Sequence, residues 1–340
     1  MNQLNKDKDA SGKHCYFASL CHVLRKEQPN ITEAMTYFVG NGLQLSYKSG
    51  FCFEWDTYNS QVLSTLGKVF SIPVNYCFQL QEEQVLEELQ EGLQVGGAVV
   101  VFIHSKYLDY HPIYANNPNR THAIILNEID IKNHNTSISD TLLLDDGGNI
   151  HTYEGDYSIE RLLGGIWGWA YFEGNMYQEA LGIEELHRLA IAQMEVFLAE
   201  GLQIDGNYIG LAAYSQYMKQ LLLLDSVPDI DFKNVCGKIY YRLRMGSIVT
   251  LLEYLYDLVD TYDGYEDVVK ERLLQTIHSQ HMEWKKTMLN IYKMGIRGKR
   301  QMIEPISKKA SNLIDQMANV MEEIITLYQK KVNRVKEEMG

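Results

Sequence analysis

Residues 9–26 read DASGKHCYFASLCHVLRK, and this stretch decides how the N-terminal half folds. A polar lead-in, Asp9-Ala10-Ser11-Gly12-Lys13-His14, runs into apolar Phe17, Leu20, Val23 and Leu24. That spacing predicts a short helix over 15–26 that opens on Cys15. A thiol at a helix N-terminus feels the positive end of the backbone dipole, which favours the thiolate.

Working outward, Asn30-Ile31-Thr32 resembles a cap and predicts a second helix over 32–39. Glycines 40, 42 and 50 and the aromatics around them predict a loop region. Helical spacing returns over 59–70. Short runs rich in Val, Ile and Leu then predict strands over 74–78, 98–104, 122–129 and 141–145, with a helix over 81–91 between the first two. Helices followed by mostly sequential strands predict an α+β fold rather than a doubly wound sheet.

The texture changes near residue 175. Beyond it strand signals nearly vanish and apolar residues recur at helical spacing, as in Leu313, Met317, Val320, Met321, Ile324, Leu327 and Tyr328. Breaks at 201–206, 227–229 and 264 cut this half into about five helices. The expected organisation is a domain over 1–174 and a helical bundle over 175–340. A total of 340 residues fits two domains of ordinary size.

Composition narrows the class. Hydrophobic residues make up 46% and charged residues 22%, which excludes a disordered, collagen-like or rod-like chain. No apolar run is long enough to span a bilayer. The N-terminus lacks the apolar core of a secretory signal, so a cytoplasmic protein without a membrane role is expected. Five cysteines (Cys15, Cys21, Cys52, Cys77 and Cys236) without a CxxC pair fit free thiols in a reducing compartment. The net charge of −13 argues against a nucleic-acid partner. Residues 285–340 run against that balance, with 12 Lys/Arg and 6 Asp/Glu. A basic segment on an acidic protein is a solvated helix face or a dock for an acidic partner.

Motif absences remove further classes. There is no phosphate-binding loop, no dinucleotide fingerprint after a strand, no GxSxG elbow and no HExxH. His278 and His281 share a helix face without a third ligand, so neither metal nor cofactor is expected. What remains is Cys plus His plus carboxylate. His122 opens one strand, and Asp145 and Asp146 close another. Adjacent strands bring a histidine and a carboxylate within reach, so that the carboxylate fixes the imidazole and the imidazole activates the thiol. By spacing alone the signal is weak: a single cysteine is more often a small buried hydrophobe, and a histidine at a strand start more often a structural group.

The stretch from His14 to Tyr47 resembles the N-terminal domain of the butirosin biosynthesis protein H family. The resemblance rests on His14-Cys15, Ala18-Ser19, Thr32-Glu33-Ala34 and Gly40-Asn41-Gly42. It continues in Thr121-His122-Ala123-Ile124 and in Asp145-Asp146-Gly147-Gly148, covering about residues 10–170. It implies a papain-like N-terminal domain followed by a helical region, and amide-forming acyl transfer in antibiotic and other natural-product pathways. The acyl donor would be a thioester on an acyl (peptidyl) carrier protein and the acceptor a small-molecule amine.

Carried over residue by residue, Cys15 is the nucleophile, His122 the base and Asp146, ahead of Asp145, the orienting carboxylate. Where papain-like enzymes place an oxyanion-hole glutamine shortly before the nucleophile, this chain has Asp9. The Cys15 N–H serves as one donor, and the second is unassigned. Thioester exchange onto Cys15 is nearly isoenergetic and aminolysis is downhill, so no nucleotide is required. Tyr47, Phe51, Phe53, Trp55 and Tyr58 would line an acyl channel or fill a core. The segment Arg297-Gly298-Lys299-Arg300, at a helix break, would steer the acidic carrier. The competing readings are a cysteine hydrolase with the same triad and a binding protein in which Cys15 only packs.

Overall fold

The computed structural model describes residues 12–48, 55–57, 59–81, 83–115, 120–144, 150–174, 179–199, 201, 206–245 and 247–339. The first elements are α1 (Cys15–Leu24), α2 (Glu33–Val39), β1 (Leu45–Lys48), β2 (Trp55–Thr57), α3 (Asn59–Phe70), β3 (Val74–Cys77), α4 (Val85–Gly96) and β4 (Val99–His104). After a 3-10 turn come α5 (Pro112–Ala115), β5 (Thr121–Asp130), β6 (Asn135–Leu144), β7 (Ile150–Ser158), α6 (Ile159–Gly165) and β8 (Ile166–Phe172). The remainder is α7 (Ile183–Ala199), β9 (Asn207–Ile209), α8 (Gly210–Gln220), α9 (Asp229–Met245), α10 (Ile248–Asp260), α11 (Asp267–Arg297) and α12 (Ile303–Met339). The architecture is α+β with a C-terminal helical region. Among the described residues no helix is long and apolar enough to cross a membrane.

Internal contacts group the chain into two compact units, residues 1–36 with 59–183 and residues 37–58 with 184–340. The first is built on a six-stranded antiparallel sheet of order β3-β8-β4-β5-β6-β7. Both faces of its centre are covered, so β4 and β5 read as continuous apolar runs rather than alternating ones. One face carries a core of Val99, Val101, Ile124, Leu126, Trp169 and Tyr171 with Leu89 of α4. On the other, α1 lies across the sheet with Tyr16 against Phe102, ring centroids 5.6 Å apart. Only His22 of α1 is exposed, as befits a helix enclosed nearly all round.

The expected loop over 40–58 instead contains β1 and β2, which join β9 in a small three-stranded sheet of the second unit. Tyr47 is fully buried there and packs edge-on against Tyr217, so it is core and not channel lining. Phe51, Phe53 and Tyr58 lie outside the described residues. The strand expected over 141–145 begins six residues earlier, at Asn135. Within the six-stranded sheet two strands, β7 and β8, were not expected, and β9 of the small sheet was not expected either. β7 is an edge strand with few buried side chains, so it carries no apolar run.

The second unit holds six helices among the described residues rather than five, because α9 and α10 part at 246–247 and α11 and α12 part at 298–302. Gly298 ends α11 with φ 62°, a conformation that costs glycine least. The apolar stripe read in the last helix is buried at Leu313, Met317, Val320, Met321, Ile324 and Tyr328.

Candidate functional site

The site is built in the first unit from the N-terminus of α1 and the adjoining ends of β5 and β6. Cys15 is the first residue of α1, and its thiol is partly exposed. The three residues before it are tied down individually. The Gly12 N–H donates to the carbonyl of Thr141 on β6 at 2.8 Å. The Lys13 N–H donates to both Glu33 carboxylate oxygens at 3.0 Å, and the His14 N–H donates to Oε1 at 2.8 Å. Gly12 has no room for a side chain, since a Cβ there would sit 2.4 Å from that of Ala18.

A helix leaves its first N–H groups without acceptors of its own. Glu33 takes that of His14, the N-cap residue, and the Cys15 N–H follows at the first position of the helix. The nucleophile candidate therefore stands where backbone N–H groups and the helix dipole both favour negative charge.

His122, the second residue of β5, interacts with the Cys15 thiol. Its Nε2 lies 2.9 Å from Oδ1 of Asp140 on β6 and 3.0 Å from the Tyr114 hydroxyl. The side chain of His122 is 11% exposed and that of Asp140 is fully buried. Oδ1 also accepts the Leu142 N–H at 3.1 Å. Oδ2 accepts the hydroxyls of Tyr110 at 2.7 Å and Tyr114 at 2.6 Å. A buried carboxylate needs this many donors to remain charged.

Burial works against charge on His122, yet the Asp140 carboxylate, then Cys15, and hydrogen bonds to both hold the imidazole well above the ordinary histidine value. Burial likewise works against Asp140, but His122 and the two tyrosine hydroxyls bring its carboxyl below the ordinary range. The pair is thus held as carboxylate and imidazolium beside a thiol. His14 goes the other way. Burial first, then the charge of His122, lowers it to about 4, so it is neutral at neutral pH. Its Nδ1 is buried without a hydrogen-bond partner among the described residues.

The other described cysteines lack this environment. Burial pushes the thiols of Cys21 and Cys236 up to about 11. Among the described cysteines, Cys15 is the one that acts on His122.

Of the residues singled out in the sequence, the structure therefore brings Cys15 and His122 together. The carboxylate on His122 is Asp140, which sequence reasoning passed over. Asp145 and Asp146 lie outside the described residues, as do Asp9 and Cys52. In the second unit, His281 Nε2 lies 3.1 Å from Glu253 Oε1. Among the described residues no cluster of three His, Cys, Asp or Glu side chains could hold a metal ion.

Arg300 of the basic segment is engaged within its own unit. It donates to the carbonyls of Leu224 at 2.7 Å, Asp225 at 3.2 Å and Val227, and to Asp229 Oδ1 at 2.7 Å, and it lies over the Phe232 ring at 4.2 Å. Arg297 and Lys299 are exposed.

Residues 14–141 match the family described as butirosin biosynthesis protein H, N-terminal. The matched segment holds Cys15, Glu33, Tyr110, Tyr114, His122 and Asp140, and it stops before Asp145 and Asp146. No curated protein matches the chain.

Proposed function

Taking that family match over residues 14–141 as the starting point, we propose that the chain is an enzyme of antibiotic or related natural-product biosynthesis. In this reading it is a cysteine-dependent acyltransferase on a papain-like scaffold, moving an acyl group from a carrier-protein thioester to an amine. The observation that carries the proposal is the alignment of Cys15, at the head of α1, with His122, which is paired at 2.9 Å with the buried Asp140.

In the first half-reaction the Cys15 thiolate attacks the thioester carbonyl. The negative charge on the carbonyl oxygen is met by the Cys15 N–H at the head of α1. The carrier C–S bond then breaks, and the departing thiolate takes a proton from the His122 imidazolium. In the second, the amine attacks the acyl-Cys15 carbonyl, His122 removes the amine proton, and the Cys15 C–S bond breaks to release the amide. Asp140 keeps Nε2 occupied, which leaves Nδ1 for the thiol and the incoming amine. Both steps proceed without a nucleotide, because the donor is already a thioester.

The test is a trapped intermediate. With an acyl thioester and no amine, intact mass should rise by one acyl group, on the peptide that carries Cys15. Cys15→Ala should show no adduct and lose turnover by roughly a thousand-fold or more, with Cys15→Ser nearly as poor. His122→Ala should load slowly. Addition of an amine should then release the amide. Release of free acid alone would favour the hydrolase, and full turnover by Cys15→Ala would end both readings.

A further inference from the structure

Asp140 has two oxygens with different tasks. Oδ1 faces His122, while Oδ2 is occupied by two phenolic hydroxyls from one short stretch, Tyr110 and Tyr114. We propose that Tyr110 and Tyr114 are positioning residues for the Cys15–His122 pair: they hold Oδ2 so that Oδ1 stays on Nε2. The proposal rests on the acyl-transfer reading only for what the pair is used for. The holding itself concerns the pair alone.

Three observations support it. First, one hydroxyl would satisfy Oδ2, yet two converge on it, at 2.7 and 2.6 Å. Two donors from different directions fix the carboxylate plane, whereas one permits rotation. Second, the Tyr114 hydroxyl is also 3.0 Å from His122 Nε2. Its proton goes to Oδ2, so its oxygen is left to share the Nε2 proton. Third, the rings are immobilised. Tyr110 is stacked on Tyr153 with centroids 4.3 Å apart and edge-on to Tyr157, whose hydroxyl donates to the Tyr107 carbonyl. Tyr114 is edge-on to Tyr110. The hydroxyls are thus delivered by packed rings and do not have to find Asp140.

The groups facing Asp140 are His122 from β5, Tyr110 from the turn before α5, Tyr114 from α5 itself, and the Leu142 N–H from its own strand. Cys15 acts on the assembly through His122 and Tyr114. Removal of a hydroxyl makes the carboxylate easier to protonate. A protonated Asp140 no longer supports the imidazolium, and the thiolate loses its counter-ion.

Tyr110→Phe and Tyr114→Phe delete the hydroxyls and keep the rings. The assay is the rate at which iodoacetamide labels the Cys15 peptide as a function of pH, read by mass spectrometry on the full chain. Each variant should move the acid limb of that profile to higher pH by about one unit, the effect of one lost charge-assisted hydrogen bond to a carboxylate. Tyr153→Phe, whose hydroxyl donates to the Asp156 carbonyl and not to Asp140, should leave the limb in place. Acid limbs that coincide with the parent's in both Asp140-facing variants would overturn the proposal, as would an equal shift in Tyr153→Phe. The readout needs no acyl donor. A shifted limb in a protein that never forms an acyl adduct would uphold the positioning role and refute the acyl-transfer reading.

Discussion

Glu33 sets the direction in which Cys15 enters its helix, and Glu33→Ala tests that role. The side chain is half-buried and accepts the N–H groups of two successive residues, Lys13 and His14, at 2.8–3.0 Å. A hydrogen bond to a charged group contributes about 1.5–3 kcal/mol, and partial exposure favours the low end, so two of them come to about 3 kcal/mol. Glu33 also sits in the first turn of α2, where a negative charge contributes roughly 0.3–1 kcal/mol more. Removing the side chain should lower the melting temperature by about 6–12 °C for a unit of this size.

The local effect should be larger than the global one. Without Glu33 the chain leading into α1 loses the acceptor of two successive N–H groups, and the Cys15 thiol can drift from His122. A misplacement of about 1 Å costs on the order of a hundred-fold in rate. Cys15 alkylation near neutral pH, with differential scanning calorimetry of the same samples, reads both effects. Glu33→Gln keeps an acceptor oxygen and should fall between parent and alanine variant. A melting temperature within a degree of the parent's, together with an unchanged alkylation rate, would refute the anchoring argument.

Other outcomes follow from the same contacts. Reversal of charge at Arg297 and Lys299 should raise the apparent KM for a carrier-bound donor, barely alter turnover of a short thioester, and lose its effect in high salt, as expected of electrostatic steering. Arg300→Glu should instead cost about 1–3 kcal/mol of stability, because it breaks a partly buried side chain bonded to three carbonyls and an exposed carboxylate; unchanged thermal unfolding would contradict this. Asp140→Asn should be destabilised relative to the parent at neutral pH, and the gap should close as pH falls through the ordinary carboxylate range. The sign follows from the lowered Asp140 value, since a depressed carboxyl stabilises above its unfolded value and loses that contribution as it protonates. The raised value of His122 adds stability that is complete below its ordinary value and lost as pH rises through the folded one, so the parent should also weaken on the alkaline side. Parallel melting curves for parent and variant across pH would count against both.

Much of this was legible in the residues. The helix opening on Cys15, the cap at Thr32 and the apolar runs of β4 and β5 announce themselves by period. β8 was missed although IWGWAYF is rich in aromatics, because Gly168 interrupts the run; the glycine is required where the Phe78 ring lies over the strand. β7 offered no apolar signal, as its side chains are mostly half-exposed. Asp140 was passed over because the strand was read from its apolar end, while NTSIS, the half that faces less of the core, looked like a loop.

The register of β6 on β5 accounts for the place of Asp140. The turn at 131–134 joins β5 to β6, and past a bulge Leu126 pairs with Ile138 and Ile125 with Ser139. Carrying that register toward the strand ends sets Ile124 opposite Asp140 and His122 opposite Leu142. His122 and Asp140 then become diagonal neighbours on one face of the sheet, within reach of long side chains. The turn alone does not give this contact: without the bulge, the pairing of Asp130 with Asn135 would set Asp140 opposite Ile125, on the other face from His122. The next residue on β6, Thr141, gives its carbonyl to Gly12. One strand therefore supplies both the carboxylate that holds the imidazole and the anchor for the chain that leads to the thiol. The separation of Cys15 from His122 is fixed through consecutive residues of β6 rather than through a loop. A one-residue slip of β6 would move both at once, turning Asp140 to the opposite face and displacing the anchor of Cys15.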